Sequence, residues 1–88
     1  MKFRQTTKSF IVDNNKVIKQ ERYSSIQLTN LGTCQAVVND NIPLEPGAVW
    51  ALSNEPYVEI AEDTFVRFTG IEVDKRILVE QVFNKEVK

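Results

Sequence analysis

The clearest pattern in the chain lies between residues 26 and 50, where short alternating segments are separated by turn-forming residues. Ile26 and Leu28 alternate with polar neighbours, which is the period-2 pattern of a half-buried strand. The next segment places three small apolar residues on one face in the same way: Cys34, Ala36 and Val38. The stretch therefore predicts two or three consecutive antiparallel strands.

Three turn signals separate these strands. Asn30-Leu31-Gly32 and Asn39-Asp40-Asn41 supply residues that tolerate positive φ or hydrogen-bond to the nearby backbone. Pro43 and Pro46 each push the preceding residue into extended geometry, which excludes a helix here. Pro46-Gly47 also fits the two central positions of a type II turn.

The N-terminal part repeats the strand-and-turn pattern. Residues 10–12 are an apolar triplet, and after the turn residues Asp13-Asn14-Asn15 the chain continues as Lys16-Val17-Ile18-Lys19. Because Asn14 and Asn15 can take the positive φ values of a two-residue loop, the pattern predicts a β-hairpin. Residues 48–52 are apolar on both faces and predict a central strand, or one covered on both sides.

Two further strands are predicted near the C-terminus. In residues 64–69, Val66 and Phe68 share one face, which leaves Phe65 with Arg67 on the other. The strand at residues 75–83 is apolar on both faces, with one face formed by Ile77, Val79 and Phe83 and the other by Leu78 and Val82. A helix over residues 74–85 stays open as an alternative, although the β-branched content favours a strand.

Together these segments predict an all-β fold, a small antiparallel β-sandwich or barrel of seven to eight short strands. Eighty-eight residues form one domain. We expect that domain to span residues 10–84. Residues 1–9 are predicted as an N-terminal arm or an edge strand, and residues 85–88 as a frayed tail.

Composition narrows the function classes. Hydrophobic residues at 42% and charged residues at 26% are typical of a soluble globular domain. The formal net charge is −1 and the basic residues form no run, so nucleic-acid binding is not expected. No apolar run is long enough to span a bilayer, and the first residues lack the apolar core of a signal peptide.

The sequence offers no catalytic or metal-binding signature. It contains no histidine, the usual general base and the commonest transition-metal ligand. Glu59, Glu62 and Asp63 are the densest carboxylate group, but they lack the spacing of a calcium loop and are typical of a solvated turn. The single cysteine, Cys34, is expected to be a buried inert thiol. We therefore expect no enzyme activity, no metal and no cofactor.

A resemblance to a known class rests on the turns and the strand between them, namely Asn30, Gly32, Val38, Asn39, Leu44, Pro46 and Gly47. This arrangement resembles small β-sandwich structural proteins of tailed phages and prophages. The resemblance implies a non-enzymatic virion subunit, such as a head accessory, decoration or connector protein. It also implies a protein made in the host cytoplasm and then built into the particle.

Strands that are apolar on both faces predict a second cover, which another chain would provide. The expected partners are other virion proteins and copies of the same chain, and neither a membrane nor a small-molecule ligand is expected. Five residues are the candidate interface positions: Val37, Tyr57, Phe65, Leu78 and Val82. The alternative is a carbohydrate- or peptide-binding module, in which Tyr57 and Tyr23 would stack on a ligand while Trp50 belongs to the core.

Overall fold

The computed structural model describes residues 2–53 and 60–87, and the side chains of residues 5–53 and 60–83. This part of the chain holds eight strands and no helix. The strands are β1 (Lys2–Val12), β2 (Lys16–Ile18), β3 (Tyr23–Asn30), β4 (Ala36–Val38), β5 (Ile42–Leu44), β6 (Val49–Ser53), β7 (Thr64–Phe68) and β8 (Ile77–Val87). The all-β prediction is confirmed, and the helical alternative for residues 74–85 is wrong.

The strands form two four-stranded antiparallel sheets. Sheet A has the order β1-β8-β3-β6, and sheet B has the order β2-β7-β4-β5. The side chains between the sheets form one core, as a β-sandwich requires. That core consists of Val12, Ile18, Tyr23, Ile26, Leu28, Ala36, Val38, Leu44, Ile60, Val66, Ile77 and Val79.

The predicted faces of β3, β4, β7 and β8 agree with the burial of their side chains. Val66 is buried while Phe65 is 49% exposed, so β7 turns Phe65 to the outer side of sheet B. Ile77 and Val79 are buried, whereas Leu78 and Val82 alternate with them and are only partly covered. Period-2 alternation was therefore a reliable guide wherever one face of a strand packs on the core.

The predicted hairpin between residues 10 and 19 is wrong. β1 pairs with β8 in sheet A, and β2 pairs with β7 in sheet B. Neither Asn14 nor Asn15 has positive φ. Instead, Asn15 Oδ1 accepts a hydrogen bond from the backbone N–H of Phe68 at 2.9 Å. This bond holds the loop of residues 13–15 against the end of β7. Crossing between the sheets lets both apolar segments contribute to the core.

β6 also differs from its prediction. It is an edge strand of sheet A in the described chain, with β3 as its partner, and not a central strand. Val49 is 56% exposed and Leu52 is 41% exposed. Trp50 is partly buried and packs against the core, in agreement with its predicted role. The apolar content of this strand thus indicates exposed apolar surface, not a second sheet neighbour.

The termini form a longer ribbon than expected. β1 begins at Lys2 and pairs with β8 from Lys2–Val87 to Val12–Ile77. Residues 2–9 therefore take the edge-strand alternative, and β8 continues into the segment for which the sequence predicted fraying. β3 follows β8 only as far as the Tyr23–Phe83 pair, so the ends of β1 and β8 extend past it as two strands.

Asn30 ties the two sheets together. Its side-chain Nδ2 donates to the carbonyl oxygens of Cys34 at 2.9 Å and Leu44 at 3.0 Å, and its Oδ1 accepts the N–H of Gly32 at 3.1 Å. Its backbone N–H donates to Ala48 O at 3.1 Å, and its carbonyl accepts the N–H of Gly47 at 2.9 Å. The residue is 1% exposed, so these bonds replace water for a buried amide.

The other predicted turns between residues 26 and 50 are also present in the structure. The N–H of Ala48 donates to Glu45 O at 2.9 Å and Gly47 has a φ of 84°, which together match the predicted type II turn. Asn39 and Asp40 have φ values of 53° and 64°, as the tight connection from β4 to β5 needs. Gly32 serves a different purpose: a Cβ there would collide with the backbone carbonyl of Asp74.

We expect Asn30→Ala to lower the free energy of unfolding by about 3 kcal/mol, because it leaves the buried Cys34 and Leu44 carbonyls without donors. Asn30→Asp keeps the acceptor for Gly32 but loses both donors, so it should be at least as destabilising at neutral pH. Urea denaturation measures both, with the exposed Asn41→Ala as the matched control. A loss no larger than that of the control would contradict this role of the amide.

The two glycines should differ on substitution. Gly32→Ala forces apart two backbone segments and should destabilise the fold by about 2–3 kcal/mol. Gly47→Ala meets open space and should cost about 1 kcal/mol, from the positive φ alone. Urea midpoints compare the two variants. Equal losses would show that backbone conformation, and not close approach, sets the requirement at Gly32.

Candidate functional site

The predicted interface residues do not form one patch. Leu78 and Val82 lie on the outer face of sheet A, whereas Val37 and Phe65 lie on the outer face of sheet B, on the opposite side of the sandwich. Tyr57 lies outside the described residues. The sequence therefore selected outward-facing apolar positions but could not say which of them share a surface.

The outer face of sheet A carries a register row across all four strands that is apolar on β1, β8 and β6 and has Thr29 on β3. Leu78 has Ile11 as its partner on β1 and Thr29 on β3, and Thr29 in turn pairs with Val49 on β6. Ile11 is 50% exposed and Val49 is 56% exposed. Ile11 and Val49 were not predicted as interface residues, because their alignment with Leu78 follows from strand register.

The rows beside it are polar but almost uncharged. They contain Ser9, Glu80, Gln27 and Ala51 in one register row, and Thr7, Val82, Ser25 and Ser53 in the next. Among the described side chains of these three rows, Glu80 alone carries a charge. A low density of charged residues is typical of the centre of a protein interface.

The outer face of sheet B is smaller, and Arg67 is the charged residue among its described ladder positions. Phe65 pairs with Val17, and Val37 lies between Arg67 and Pro43. Arg67 approaches Asp40 at 4.0 Å. Because this face has shorter strands and an ion pair beside the exposed Phe65, we regard it as the less suitable one for docking.

The loop after β7 carries two apolar side chains that the sequence did not single out. Ile71 and Val73 are 97% and 96% exposed. The loop is held in place at its C-terminal end, because Asp74 O accepts hydrogen bonds from the backbone N–H groups of Thr33 and Cys34 at 3.0 and 3.1 Å. The Asp74 carboxylate also binds Arg76, with 2.7 Å between Oδ1 and Nε, and this contact lowers the pKa of Asp74.

A groove of about 340 Å³ opens on the side of the sandwich where β1 and β2 face each other. Phe10 lies in it, with the ammonium groups of Lys8 and Lys16 at 5.6 and 5.2 Å from the ring centroid. Lys8 also contacts Glu21, with 3.3 Å from Nζ to Oε2. The groove is therefore a basic one with an aromatic wall, which no sequence run of lysines foretold.

Gln81 lines the inner side of this groove. It is 1% exposed, and its Oε1 accepts no hydrogen bond from the residues that the structure describes. An amide oxygen left without a donor in a protein interior costs about 1–3 kcal/mol. A buried polar atom without a hydrogen-bond partner in a folded protein needs a physical explanation, and a bound ligand that supplies the donor is one such explanation.

Tyr23 cannot serve as a sugar-stacking platform. Its side chain is 0% exposed and meets the Phe83 ring edge-on at 6.1 Å between centroids. Burial raises the pKa of its phenol, and its approach to Thr64 falls short of hydrogen-bond geometry. The predicted pair of stacking tyrosines is therefore wrong for Tyr23, and Tyr57 lies outside the described residues.

Of the acidic residues that could suggest a cation site, Asp63 has a structural role, and Glu59 lies outside the described residues. Asp63 Oδ1 accepts the backbone N–H of Gln20 at 2.9 Å and Oδ2 accepts Lys19 Nζ at 3.4 Å. These contacts, the backbone bond first, lower the pKa of Asp63. Among residues 2–53 and 60–87, no three His, Cys, Asp or Glu side chains come together as a metal site. Cys34 is a free thiol that is fully buried.

Comparison with known proteins adds no relative: the chain matches no protein-family model, no curated protein and no solved structure. In the described part of the chain there is also no helix that is long and apolar enough to cross a membrane. The surfaces described above are therefore the basis for a functional proposal.

The lowered pKa of Asp63 predicts a loss of stability in acid. A carboxylate whose folded pKa lies below its unfolded value near 3.8 stabilises the fold above that pH, and the contribution disappears as the pH falls through the folded pKa. Urea midpoints between pH 6 and pH 2 should fall less steeply for Asp63→Asn than for the native chain. The matched control is Asp13→Asn in an exposed turn, and an identical acid profile for Asp63→Asn and the native chain would contradict the assignment.

Proposed function

We propose that the protein is a non-enzymatic structural subunit of a phage particle, a head accessory, decoration or connector protein. It acts by packing the outer face of sheet A against other virion proteins or against copies of itself. The observation that carries the proposal is the row Ile11, Leu78, Thr29 and Val49, which is apolar at three of its four positions and lies beside two rows where Glu80 is the one charged residue among the described side chains.

The dimensions of the molecule suit this role. The principal extents are 49 × 19 × 17 Å, so a broad side is large enough to bury the roughly 800 Å² that a standard interface takes from each partner. Each square ångström of apolar surface removed from water stabilises an assembly by about 25 cal/mol, whereas a charged face would need its charges matched. A nearly uncharged sheet is thus the favourable surface for packing.

The ribbon formed by the ends of β1 and β8 supports the same role. Residues 2–5 pair with residues 84–87 beyond the last pair between β8 and β3. A two-stranded ribbon has little stability of its own in water, so contact with a neighbouring subunit would stabilise it. β1 also offers a free edge for strand pairing in the described chain.

The phage context comes from the resemblance carried by the turns around Asn30 and Pro46-Gly47. In the folded chain these turns are neighbours, since Gly47 N–H binds the Asn30 carbonyl at 2.9 Å. The motif thus describes one structural unit that joins the sheets. A carbohydrate-binding role is not carried forward, because Tyr23, one of the two tyrosines on which it rested, is buried, and the other, Tyr57, lies outside the described residues.

Sedimentation velocity over a range of concentrations tests the packing face. We expect the native chain to self-associate, and Leu78→Lys to weaken that association by about tenfold or more, because it would bury an unpaired charge. Val37→Lys on the outer face of sheet B is the matched control and should associate like the native chain. A native chain that stays monomeric, or equal effects of the two variants, would contradict the use of this face for self-association.

The particle itself tests the biological role. Mass spectrometry of purified phage particles from a host that expresses the gene should detect the protein at a fixed copy number, and antibody labelling in electron microscopy should place it on the particle. The Leu78→Lys variant should be lost from particles while Val37→Lys is retained. Particles that lack the native protein would overturn the proposal.

A further inference from the structure

We propose that the groove between β1 and β2 binds an organic carboxylate that has an apolar body and an N–H donor, the chemistry shared by an N-acylated amino acid and the C-terminus of a peptide. The groove lies on the side of the sandwich where β1 and β2 face each other. It shares only Ile11 with the row of sheet A that is proposed for packing. It goes beyond the proposed structural role and does not depend on it.

The first argument is electrostatic. Lys8 and Lys16 bring two ammonium groups to the same Phe10 ring, and Glu21 offsets the one on Lys8. Lys19, also at the groove, contacts Asp63 instead. Lys16 has no ion-pair partner among the residues that the structure describes, so a carboxylate placed beside it would relieve the repulsion between the two lysines.

The second argument concerns hydrogen bonding. Gln81 lines the groove, is 1% exposed, and has an Oε1 that lacks a donor within the described chain. Lys8 is its register partner on β1. Because Gln81 already lines the groove, an amide N–H of a bound ligand would supply the donor that this oxygen lacks.

The third argument is size and lining. A volume of about 340 Å³ lies near the lower end of the range for small-molecule sites. Phe10, Val17 and Ile18 supply apolar walls beside the lysines. A small inorganic anion would leave those walls uncovered, whereas an amphipathic carboxylate uses both the charge and the apolar surface.

The test is a titration of the ¹⁵N-labelled full chain with N-acetyl-leucine, followed by amide chemical shifts. We expect saturable shifts centred on Phe10, Lys16, Ile18 and the side-chain amide of Gln81. The uncharged probe N-acetyl-leucinamide has the same apolar body and donor without the carboxylate. It should bind at least about tenfold more weakly, the loss expected for one charge-assisted contact.

Four variants sharpen the result. Lys16→Met should weaken N-acetyl-leucine binding by about tenfold, while the control Lys75→Met, outside the groove, should leave it unchanged. Gln81→Leu should also weaken binding, and the spectrum shows directly whether that variant is folded. Glu21→Gln should strengthen binding, because it removes the carboxylate that competes for Lys8.

A peptide that ends in leucine distinguishes the two sources of the carboxylate. Tighter binding of an acetylated tetrapeptide than of N-acetyl-leucine would assign the groove to the C-terminus of a partner chain, and equal binding would assign it to a free organic acid. The proposal is overturned if the shifts do not saturate, if the uncharged probe binds as well as the acid, or if Lys16→Met behaves like Lys75→Met.

Discussion

The buried amide of Asn30 is the contact that makes two small sheets into one domain. Asn30 is in sheet A, yet its side-chain donors bind the carbonyl of Cys34, which lies just before β4, and that of Leu44 at the end of β5 in sheet B. Hydrogen bonds in a water-free interior are directional, and a wrong arrangement would leave several polar groups unsatisfied. The amide therefore does more than add stability, because it selects one relative placement of the two sheets.

The loops follow from that placement. With β3 and β4 held by the amide, the chain between them runs along residues 74–76, where Arg76 O accepts N–H groups from Leu31 and Gly32 at 2.9 and 3.2 Å. The close approach leaves no space for a side chain at Gly32. The loop that carries the exposed Ile71 and Val73 therefore ends in a segment that backbone hydrogen bonds hold in place.

The outside of the sandwich divides into regions of different character. The outer face of sheet A combines apolar and uncharged polar residues and has few charges. The outer face of sheet B carries an ion pair, and the groove between β1 and β2 has lysines around an aromatic ring. A face of the first kind suits packing against protein, and a groove of the last kind suits an anion with an apolar part. A small domain can therefore carry two separate contacts.

The sequence by itself determined the fold class, the faces of the strands that pack on the core, and the turns at Asn39-Asp40 and Pro46-Gly47, because these depend on local periodicity and backbone preference. Tertiary structure decided which strands are neighbours. The residues after Val12 fit either a hairpin or a crossing to the other sheet, and the joint burial of Val12 and Ile18 in the core favours the crossing. The same is true of the candidate sites: Ile11, Leu78 and Val49 are far apart in the chain, as are Lys16 and Gln81, and strand order and register, which are properties of the whole sandwich, bring them together.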